Sequence, residues 1–225
     1  MNKLTWIDRI EMSRFRHSGL FRFLLRYFSE SDTEKALRKS ISYLKQRNIT
    51  GDYLEFGVFK GRTFIQACHF AELYDNDMSL YAFDSFKGLP EPEKNDTGDL
   101  RFYKGAYCCS LENFTDNLDK FVLNHKKIFI IEGFYKDSLK YSHNFFDAAL
   151  VYIDCDLYSS SVQALEYITD YVKKGTIIIF DDWYSYLNSS QKGQQKAFLG
   201  WILKTGIEAE PFIDLPPSLK AFIIT

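Results

Sequence analysis

The feature that most constrains the fold of this 225-residue chain is an alternation, from residue 52 onward, between short apolar runs and amphipathic segments. The apolar runs are continuous and rich in β-branched or aromatic residues, which is typical of strands buried on both faces. They lie at residues 53–58, 80–83, 128–131, 149–153 and 176–180. This pattern predicts an α/β fold with a doubly wound, mostly parallel sheet, because right-handed crossovers place helices on both of its faces.

Segments with helical periodicity separate or follow these runs, with apolar faces beginning near residues 64, 111, 162 and 197. The third carries an apolar stripe from Val162 to Val172 and is followed by Lys173-Lys174-Gly175, a basic turn and a glycine that predict the end of a helix. Apolar runs at 209–213 and 221–224 predict a closing antiparallel pair, so the last strand of the sheet is expected to be antiparallel.

Residues 1–48 differ from the rest of the chain. An apolar stripe that includes Leu20 and Leu24 is flanked by arginines, and the capping-box pattern at 31–34 predicts a further helix that ends near Asn48. We therefore expect an N-terminal helical extension, 1–48, and a main domain, 49–225. The apolar stripe of the extension is expected to pack on its own domain or on a second subunit of a homo-oligomer; a mobile lid or a membrane-surface anchor is the alternative.

Composition excludes several classes of protein. Lys and Arg number 28 against 30 Asp and Glu, a net charge of −2, so a protein that binds a nucleic-acid backbone is not expected. Four cysteines do not make a disulfide scaffold in a chain of this length. No apolar run approaches the ~20 residues that span a bilayer, and Arg22 and Arg26 interrupt any signal-peptide core. We expect a cytoplasmic protein without a transmembrane segment.

Ligands of open α/β sheets bind beyond the carboxyl ends of the strands. After the first strand, Gly57 and Gly61 allow a sharp turn and a close approach to a ligand, although their spacing is not that of the dinucleotide fingerprint. Asp84 ends the second strand, where an acid accepts hydrogen bonds from ribose hydroxyls; capping of a local turn is the alternative. Gly133 and Phe134 follow the third strand and suit the admission and stacking of an adenine.

Acidic residues follow the fourth and fifth strands, with Asp154 and Asp156 after one and Asp181 and Asp182 after the other. Four carboxylates at neighbouring strand ends repel one another unless a cation lies among them. Oxygen ligands suit a hard divalent ion, Mg²⁺ first, with Mn²⁺ or Ca²⁺ as substitutes. Solvated or capped carboxylates are the alternative. The long segment 87–107 lacks signals for helix or strand, and such a loop is typically functional or disordered.

Five segments, taken in order, resemble the macrocin O-methyltransferase family, metal- and S-adenosylmethionine-dependent enzymes that methylate sugar hydroxyls of macrolides and related compounds. They are GDYLEFGVFKG at 51–61, AFDSFKGLP at 82–90, GFYKDSL at 133–139, IDCDLY at 153–158 and FDDW at 180–183. The resemblance implies a Rossmann-like class I methyltransferase fold for residues 49–225. It also implies S-adenosylmethionine as cofactor and the methylation of a hydroxyl on a sugar, a glycosylated small molecule or a glycan.

The resemblance also implies roles for individual residues. S-adenosylmethionine would be bound by Glu55, Gly57, Phe59, Gly61, Thr63, Asp84, Ser85, Gly133 and Phe134. Similarity to catechol-type O-methyltransferases assigns Asp154, Asp181 and Asp182 to Mg²⁺, which would orient and acidify the acceptor hydroxyl. The lysine base of those enzymes is missing here, so Asp154 or Asp156 is expected to be the catalytic base, with His143 as the alternative.

Aromatic side chains near the acids have two interpretations. Tyr158, Trp183, Tyr184 and Tyr186 either form a wall for the acceptor or pack under the helices. Two other functions remain open at this point. The D-x-D spacing of Asp154 and Asp156 also suits a glycosyltransferase that uses a metal and a nucleotide sugar, and the chain could be a catalytically silent binding module of the same fold.

Overall fold

In the computed structural model, residues 31–225 are described, except residues 97, 142, 144 and 146. Seven strands of this part of the chain form one sheet, in the order β3-β2-β1-β4-β5-β7-β6. The strands are β1 (Asp52–Phe56), β2 (Leu80–Asp84), β3 (Ile128–Glu132), β4 (Ala148–Ile153), β5 (Val172–Phe180), β6 (Ala209–Leu215) and β7 (Leu219–Ile224). The first five are parallel, whereas β7 is antiparallel to both of its neighbours. The predicted mostly parallel sheet with an antiparallel last strand is confirmed.

Helices cover both faces of this sheet. They are α1 (Asp32–Arg47), α2 (Arg62–Leu73), α3 (Leu111–Phe121), α4 (Tyr135–Ser138), α5 (Tyr158–Ile168), α6 (Ser185–Asn188) and α7 (Gly193–Thr205). Successive strand residues point to opposite faces, so Tyr53 packs in the core with α1, α2 and α3, whereas Leu54 packs in the core with α5 and α7. Every residue of β4, the central strand, is buried. The sheet is therefore doubly wound, as the alternation of segments predicts.

The N-terminal part of the described chain is a helix that packs on the sheet. Leu37, Ile41 and Leu44 of α1 are wholly buried in the core that also contains Tyr53, and α1 belongs to the same compact unit as the sheet. The apolar stripe of residues 1–30, with its expected roles in oligomer contact, lid or membrane anchor, lies outside the described residues. The division of the chain at residue 48 stays a prediction. Among the described residues, no helix combines the length and the apolar character that crossing a bilayer requires.

One predicted helix end is wrong. Helix α5 ends at Ile168, and Val172 to Gly175 already belong to strand β5. Gly175 has a left-handed φ of +94° and lies at an irregularity where the register between β4 and β5 shifts. The Oγ1 of Thr176 accepts from the N–H of Lys173 and donates to the carbonyl of Ala148. The glycine therefore allows a bulge in a strand, a role that the basic turn before it conceals.

The strand order reverses between β1 and β4, which are neighbours in the sheet. In open α/β sheets the crevice at such a reversal, beyond the carboxyl ends of the strands, is where ligands bind. The segment that leaves β2 crosses this end of the sheet as a long loop, in which the described residues form one short 3₁₀ turn, Lys94–Asp96.

Candidate active site

A cavity of about 940 Å³ opens at the carboxyl ends of the parallel strands. Ten of the residues expected to bind cofactor or metal, or to act in catalysis, line it: Gly57, Phe59, Asp84, Ser85, Gly133, Phe134, Asp154, Asp156, Asp181 and Asp182. Glu55, Gly61 and Thr63 are not in its lining. The sequence signals at five different strand ends thus converge on one site.

The loop after β1 is shaped by two glycines. Gly57 has a φ of +88°, and a Cβ built on it would lie 2.0 Å from the carbonyl oxygen of Asp154. Gly61, at a φ of +82°, precedes the first turn of α2, and a Cβ there would lie 2.9 Å from the ring of Phe114. Glycine is required at both positions by neighbouring protein atoms, and the tight loop that results forms one edge of the cavity.

Asp84 at the end of β2 holds this loop. Its Oδ2 accepts hydrogen bonds from the backbone N–H groups of Val58 (2.9 Å) and Phe59 (3.1 Å), and its Oδ1 accepts from Phe86 N–H at 2.8 Å. The neighbouring Ser85 hydroxyl donates to the carbonyl of Gly88. Asp84 therefore caps local turns, as the alternative interpretation predicts, while it also lines the cavity.

Glu55 lies beneath the cavity. Its side chain is wholly buried, and its Oε2 accepts a hydrogen bond of 2.5 Å from the hydroxyl of Tyr53. Its Oε1 is buried and has no hydrogen-bond partner among the described residues. Burial raises the pKa of this carboxyl well above its usual range, which the hydrogen bond from Tyr53 only partly opposes. The buried carboxyl group therefore retains an unsatisfied acceptor close to the site.

Three carboxylates meet on the other side of the cavity. Asp154, Asp156 and Asp182 each offer an oxygen that lies within 4.8 Å of the others. Asp181 is outside this group, and its Oδ1 accepts a hydrogen bond from the hydroxyl of Tyr152. The structure thus brings together two of the three predicted metal ligands, Asp154 and Asp182, and places Asp156 beside them.

The electrostatics of this acid cluster favour a cation. Burial raises the pKa of Asp154, Asp156 and Asp182 above the usual range of aspartate. Neighbouring carboxylates raise the pKa of Asp154 and Asp156 further, and Asp156 and Asp182 share a hydrogen bond. Like charges so close cannot all ionise unless an opposite charge compensates them.

Arg101 is a neighbour of the acid cluster that the sequence does not reveal. Its Nε and Nη2 form a bidentate pair with Asp99, with a shortest distance of 2.7 Å. Its Nη2 also donates to the Oγ of Ser185 at 3.1 Å, and that hydroxyl donates to Oδ1 of Asp182 at 2.8 Å. Arg101 lines the cavity. No motif marks it, because 84 positions separate it from Ser185.

Gln194 is a second residue that sequence reasoning misses. It is buried at the start of α7, where its Oε1 accepts from the backbone N–H of Asp182 at 2.9 Å. Its Nε2 donates to the carbonyl of Ile153 at 3.0 Å. One side chain therefore ties together the ends of β4 and β5, from which the acids project. A glutamine in an amphipathic helix gives no sequence signal for this role.

The long loop is anchored by Asp96. This residue is 1% exposed, and its carboxylate accepts from the backbone N–H (2.9 Å) and the Oγ (2.7 Å) of Ser159 in the first turn of α5. Helix α5 has no side-chain hydrogen bond from its own N-cap, Leu157, so an acid 63 positions away caps it. The loop is thereby a structured wall of the cavity, to which it contributes Leu89, Arg101 and Tyr107.

Other expected residues lie away from the cavity. The ring of His143 packs edge-on against Phe83, and its Nε2 hydrogen-bonds with the carbonyl of Ser138. Trp183 packs against Phe180 and Phe198, and the hydroxyl of Tyr184 donates to Asp214. These contacts favour packing over an acceptor wall; the aromatic residues that line the cavity are Phe59, Tyr107, Phe134 and Tyr135.

Curated relatives of this chain include O-methyltransferases of two bacteria. The chain is 28% identical over 142 residues to the 8-demethyl-8-(2,3-dimethoxy-α-L-rhamnosyl)-tetracenomycin-C 4'-O-methyltransferase of Streptomyces olivaceus, which covers 60% of this chain and 54% of that protein. It is 27% identical over 143 residues to the mycinamicin III 3''-O-methyltransferase of Micromonospora griseorubida, covering 60% and 56%. The chain thus spans about half the length of these curated relatives.

Solved structures show the same fold. The O-methyltransferase NovP superposes with a TM-score of 0.73 at 22% identity, covering 85% of this chain and 79% of that chain. CalS11, a calicheamicin methyltransferase, superposes with a TM-score of 0.69 at 19% identity, covering 99% and 94%. The predicted class I methyltransferase fold is therefore confirmed.

The family itself is shown by sequence. The family model for macrocin O-methyltransferase (TylF) matches residues 32–196, a range that contains all of the cavity's strand-end residues described above. A glycosyltransferase, the alternative that the D-x-D spacing left open, does not agree with this match. The chain belongs to the macrocin O-methyltransferase family.

Proposed function

We propose that this protein transfers the methyl group of S-adenosylmethionine to a hydroxyl of a sugar or of a glycosylated small molecule, with a divalent cation, Mg²⁺ first, at the acid cluster. The observation that carries the proposal is the convergence of the β1 loop with Asp154, Asp156 and Asp182 on one cavity. The name of one relative specifies 4'-O-methylation of a rhamnosyl compound, which supports a sugar acceptor, and that of another specifies 3''-O-methylation.

The residues present fit the cofactor. The unpartnered Oε1 of Glu55 is a buried acceptor, and a ligand ammonium group is a donor that would satisfy it. Asp84 can accept a further hydrogen bond. A carboxylate has about four acceptor sites, and only three backbone N–H groups donate to this one. Phe134 offers a ring face at the third strand end. Gly57, Phe59, Gly61, Thr63, Ser85 and Gly133 would complete the binding loops. When bound, S-adenosylmethionine supplies a sulfonium-activated methyl group.

The acid cluster likewise fits a hard cation, because its ligands are all carboxylate oxygens held within 4.8 Å of one another. Asp154, Asp156 and Asp182 would hold it. Asp181, which the catechol-type similarity assigns to the metal, would have to give up its hydrogen bond from Tyr152 or use its other oxygen. When bound, the ion supplies a Lewis acid that lowers the pKa of a neighbouring hydroxyl.

The catalytic base is proposed to be Asp154 or Asp156. A sugar hydroxyl must lose its proton as its oxygen attacks the methyl carbon, and the base must lie within hydrogen-bond reach of that proton. Both carboxyls line the cavity, so each lies where an acceptor hydroxyl would bind. The loops and strand ends that line the cavity would position the acceptor hydroxyl next to the methyl group, and such positioning is where most of the rate enhancement is expected.

Cofactor binding tests the proposal without knowledge of the acceptor. We expect S-adenosylhomocysteine, but not uridine diphosphate, to bind the wild-type protein in calorimetry. Glu55→Gln keeps the shape but cannot provide the carboxylate that would pair with a bound ammonium group, so it should weaken binding by about tenfold. Tyr53→Phe is the matched control, because it removes the partner hydroxyl and leaves the carboxylate. Lack of any S-adenosylhomocysteine binding would support a catalytically silent module instead.

Methyl transfer tests the metal and its ligands. With labelled S-adenosylmethionine, a panel of deoxysugar-bearing acceptors and excess Mg²⁺, Asp182→Asn should lower kcat by about 100-fold or more. Asp156→Asn and Asp181→Asn distinguish the two possible third ligands, because the variant that retains metal-dependent turnover has not lost a ligand. Undiminished turnover by Asp182→Asn, or by the wild type in the presence of EDTA, would remove the metal from the mechanism.

A further inference from the structure

The acid cluster and the long loop are connected by one continuous chain of hydrogen bonds. Asp99 holds the guanidinium of Arg101 through two parallel contacts, Arg101 donates to Ser185, and Ser185 donates to Asp182. Asp99 and Arg101 belong to the loop after β2, and Ser185 follows β5. These hydrogen bonds therefore join the loop after β2 to the turn after β5, two segments that meet at the carboxyl ends of the strands.

Packing fixes the orientation of Arg101. Its guanidinium lies 4.9 Å from the ring centroid of Phe102, which is 5% exposed and packs with Leu157 and Tyr186. The side chain of Asp99 is 16% exposed. The side chain of Arg101 is itself 57% exposed. An exposed ion pair contributes little to stability, but two parallel hydrogen bonds to a largely buried carboxylate and contact with a ring restrict the guanidinium more than a single ionic contact would.

The turn that carries Ser185 is also held in place. Tyr186 and Leu187 have left-handed φ angles of +55° and +57°, which bulky residues rarely adopt. The side chain of Tyr186 is buried, whereas that of Leu187 is exposed. Tyr186 packs against Phe102, and its hydroxyl donates to the carbonyl of Asp96 at 3.3 Å. The loop thus packs directly against the turn from which the Ser185 hydroxyl reaches Asp182.

We propose that Arg101 is a positioning residue for the metal site: through Ser185 it orients the Asp182 carboxylate toward Asp154 and Asp156, so that the long loop sets the affinity of the acid cluster for a divalent cation. The inference rests on the proposed function, since it assigns a cation to that cluster. Arg101 acts through Ser185 and is not itself a ligand, because a guanidinium has no acceptor. Groups that orient a metal ligand typically contribute 10- to 100-fold to metal affinity.

The test measures Mn²⁺ binding to the full-length, metal-free protein by loss of the free-ion electron paramagnetic resonance signal, without any turnover. Arg101→Met and Ser185→Ala should each weaken Mn²⁺ binding by about tenfold or more. Ser185→Thr keeps a hydroxyl and should bind within about twofold of wild type. Lys104→Met is the charge control, because Lys104 lies on the same loop, lines the same cavity and pairs with Glu91; it should also bind as wild type does.

Each result decides the inference. Wild-type affinity in Arg101→Met or Ser185→Ala overturns it, and so does an equal loss in Lys104→Met, which would show a general charge effect. If Arg101→Met fails to fold, Ser185→Ala decides alone, since it removes one hydroxyl. A wild-type protein that binds no Mn²⁺ contradicts the metal in the proposed function and the inference with it, whereas wild-type binding with unaffected variants overturns the inference only.

Discussion

The Cα of Gly57 faces the carbonyl oxygen of Asp154 so closely that a Cβ on Gly57 would lie 2.0 Å from that oxygen. The two residues directly follow the neighbouring strands β1 and β4, between which the strand order reverses. The contact brings the loop that is proposed to bind the cofactor directly against Asp154, the first residue of the acid cluster. The absence of a side chain at residue 57 therefore allows the β1 loop and the acid cluster to lie side by side at the cavity.

Gly57→Ala is therefore expected to be severely destabilising. The new methyl group would overlap the Asp154 backbone, which cannot move without distorting β4, and the φ of +88° adds strain. We expect a loss of more than about 3 kcal/mol in the free energy of unfolding. Gly206→Ala is the control: its φ is +71°, but a Cβ there meets no atom within 4 Å, so it should lose only about 1 kcal/mol. Equal losses in urea denaturation would contradict the steric argument.

Asp96→Ala should loosen the long loop and destabilise the protein. It removes both hydrogen bonds to Ser159 and leaves the first turn of α5 without a cap. The expected loss is about 2–3 kcal/mol, the range for hydrogen bonds to a charged group at a helix N-terminus. Glu93→Ala, at an exposed position on the same loop, should change stability by less than about 0.5 kcal/mol. Urea denaturation measures both, and limited proteolysis should cut the loop faster only in Asp96→Ala.

Stability without metal should fall as the pH rises. Burial and the charge of Asp182 raise the pKa of Asp156 to about 9, whereas in the unfolded chain it is about 3.9. Between these values the folded protein binds more protons than the unfolded chain, so the free energy of unfolding decreases with increasing pH. Asp156→Asn should flatten this dependence and raise Tm at pH 8 by a few degrees, since about 1 kcal/mol corresponds to 2–4 °C in a domain of this size.

Thermal unfolding in EDTA across pH 5 to 9 measures this effect. Asp77→Asn is the control. Lys127 lowers the pKa of this exposed carboxyl, so Asp77 affects the pH dependence of stability only below about pH 4. Above that pH, the dependence of Tm on pH in this variant should match that of the wild type. Mg²⁺ should stabilise the wild type more at pH 8 than at pH 6, because the metal requires ionised ligands. A pH-independent Tm in EDTA would contradict the prediction.

Gln194→Leu should destabilise the strand ends and lower turnover. It fills a similar volume but leaves two buried backbone groups, the Asp182 N–H and the Ile153 carbonyl, without partners. Each unsatisfied group costs about 1–3 kcal/mol, so the expected loss is about 2–4 kcal/mol. Gln191→Leu, at an exposed position just before α7, should have little effect. Wild-type stability of Gln194→Leu in urea denaturation would show that the two hydrogen bonds of Gln194 are not needed to hold the strand ends together.

Most of the fold can be predicted from the sequence because buried strands and amphipathic helices impose a local periodicity. That periodicity misleads at Gly175, where a bulge in β5 resembles the end of a helix. The strand-end acids can be predicted for a similar reason: parallel strands place their carboxyl ends at one edge, so residues such as Asp154 and Asp182 come together whatever the details of packing.

The sequence alone determined which functional residue types lie at each strand end: a glycine loop after β1, an acid at the end of β2, and acids after β4 and β5. Only the tertiary structure decided which side chains contact one another around the cavity. It placed Asp156 in the acid cluster, turned Asp181 toward Tyr152, buried Glu55 beneath the cavity and brought Arg101, Asp96 and Gln194 to their partners. These contacts join residues far apart in the chain, and no local pattern encodes them, because they depend on which surfaces meet once the sheet has formed.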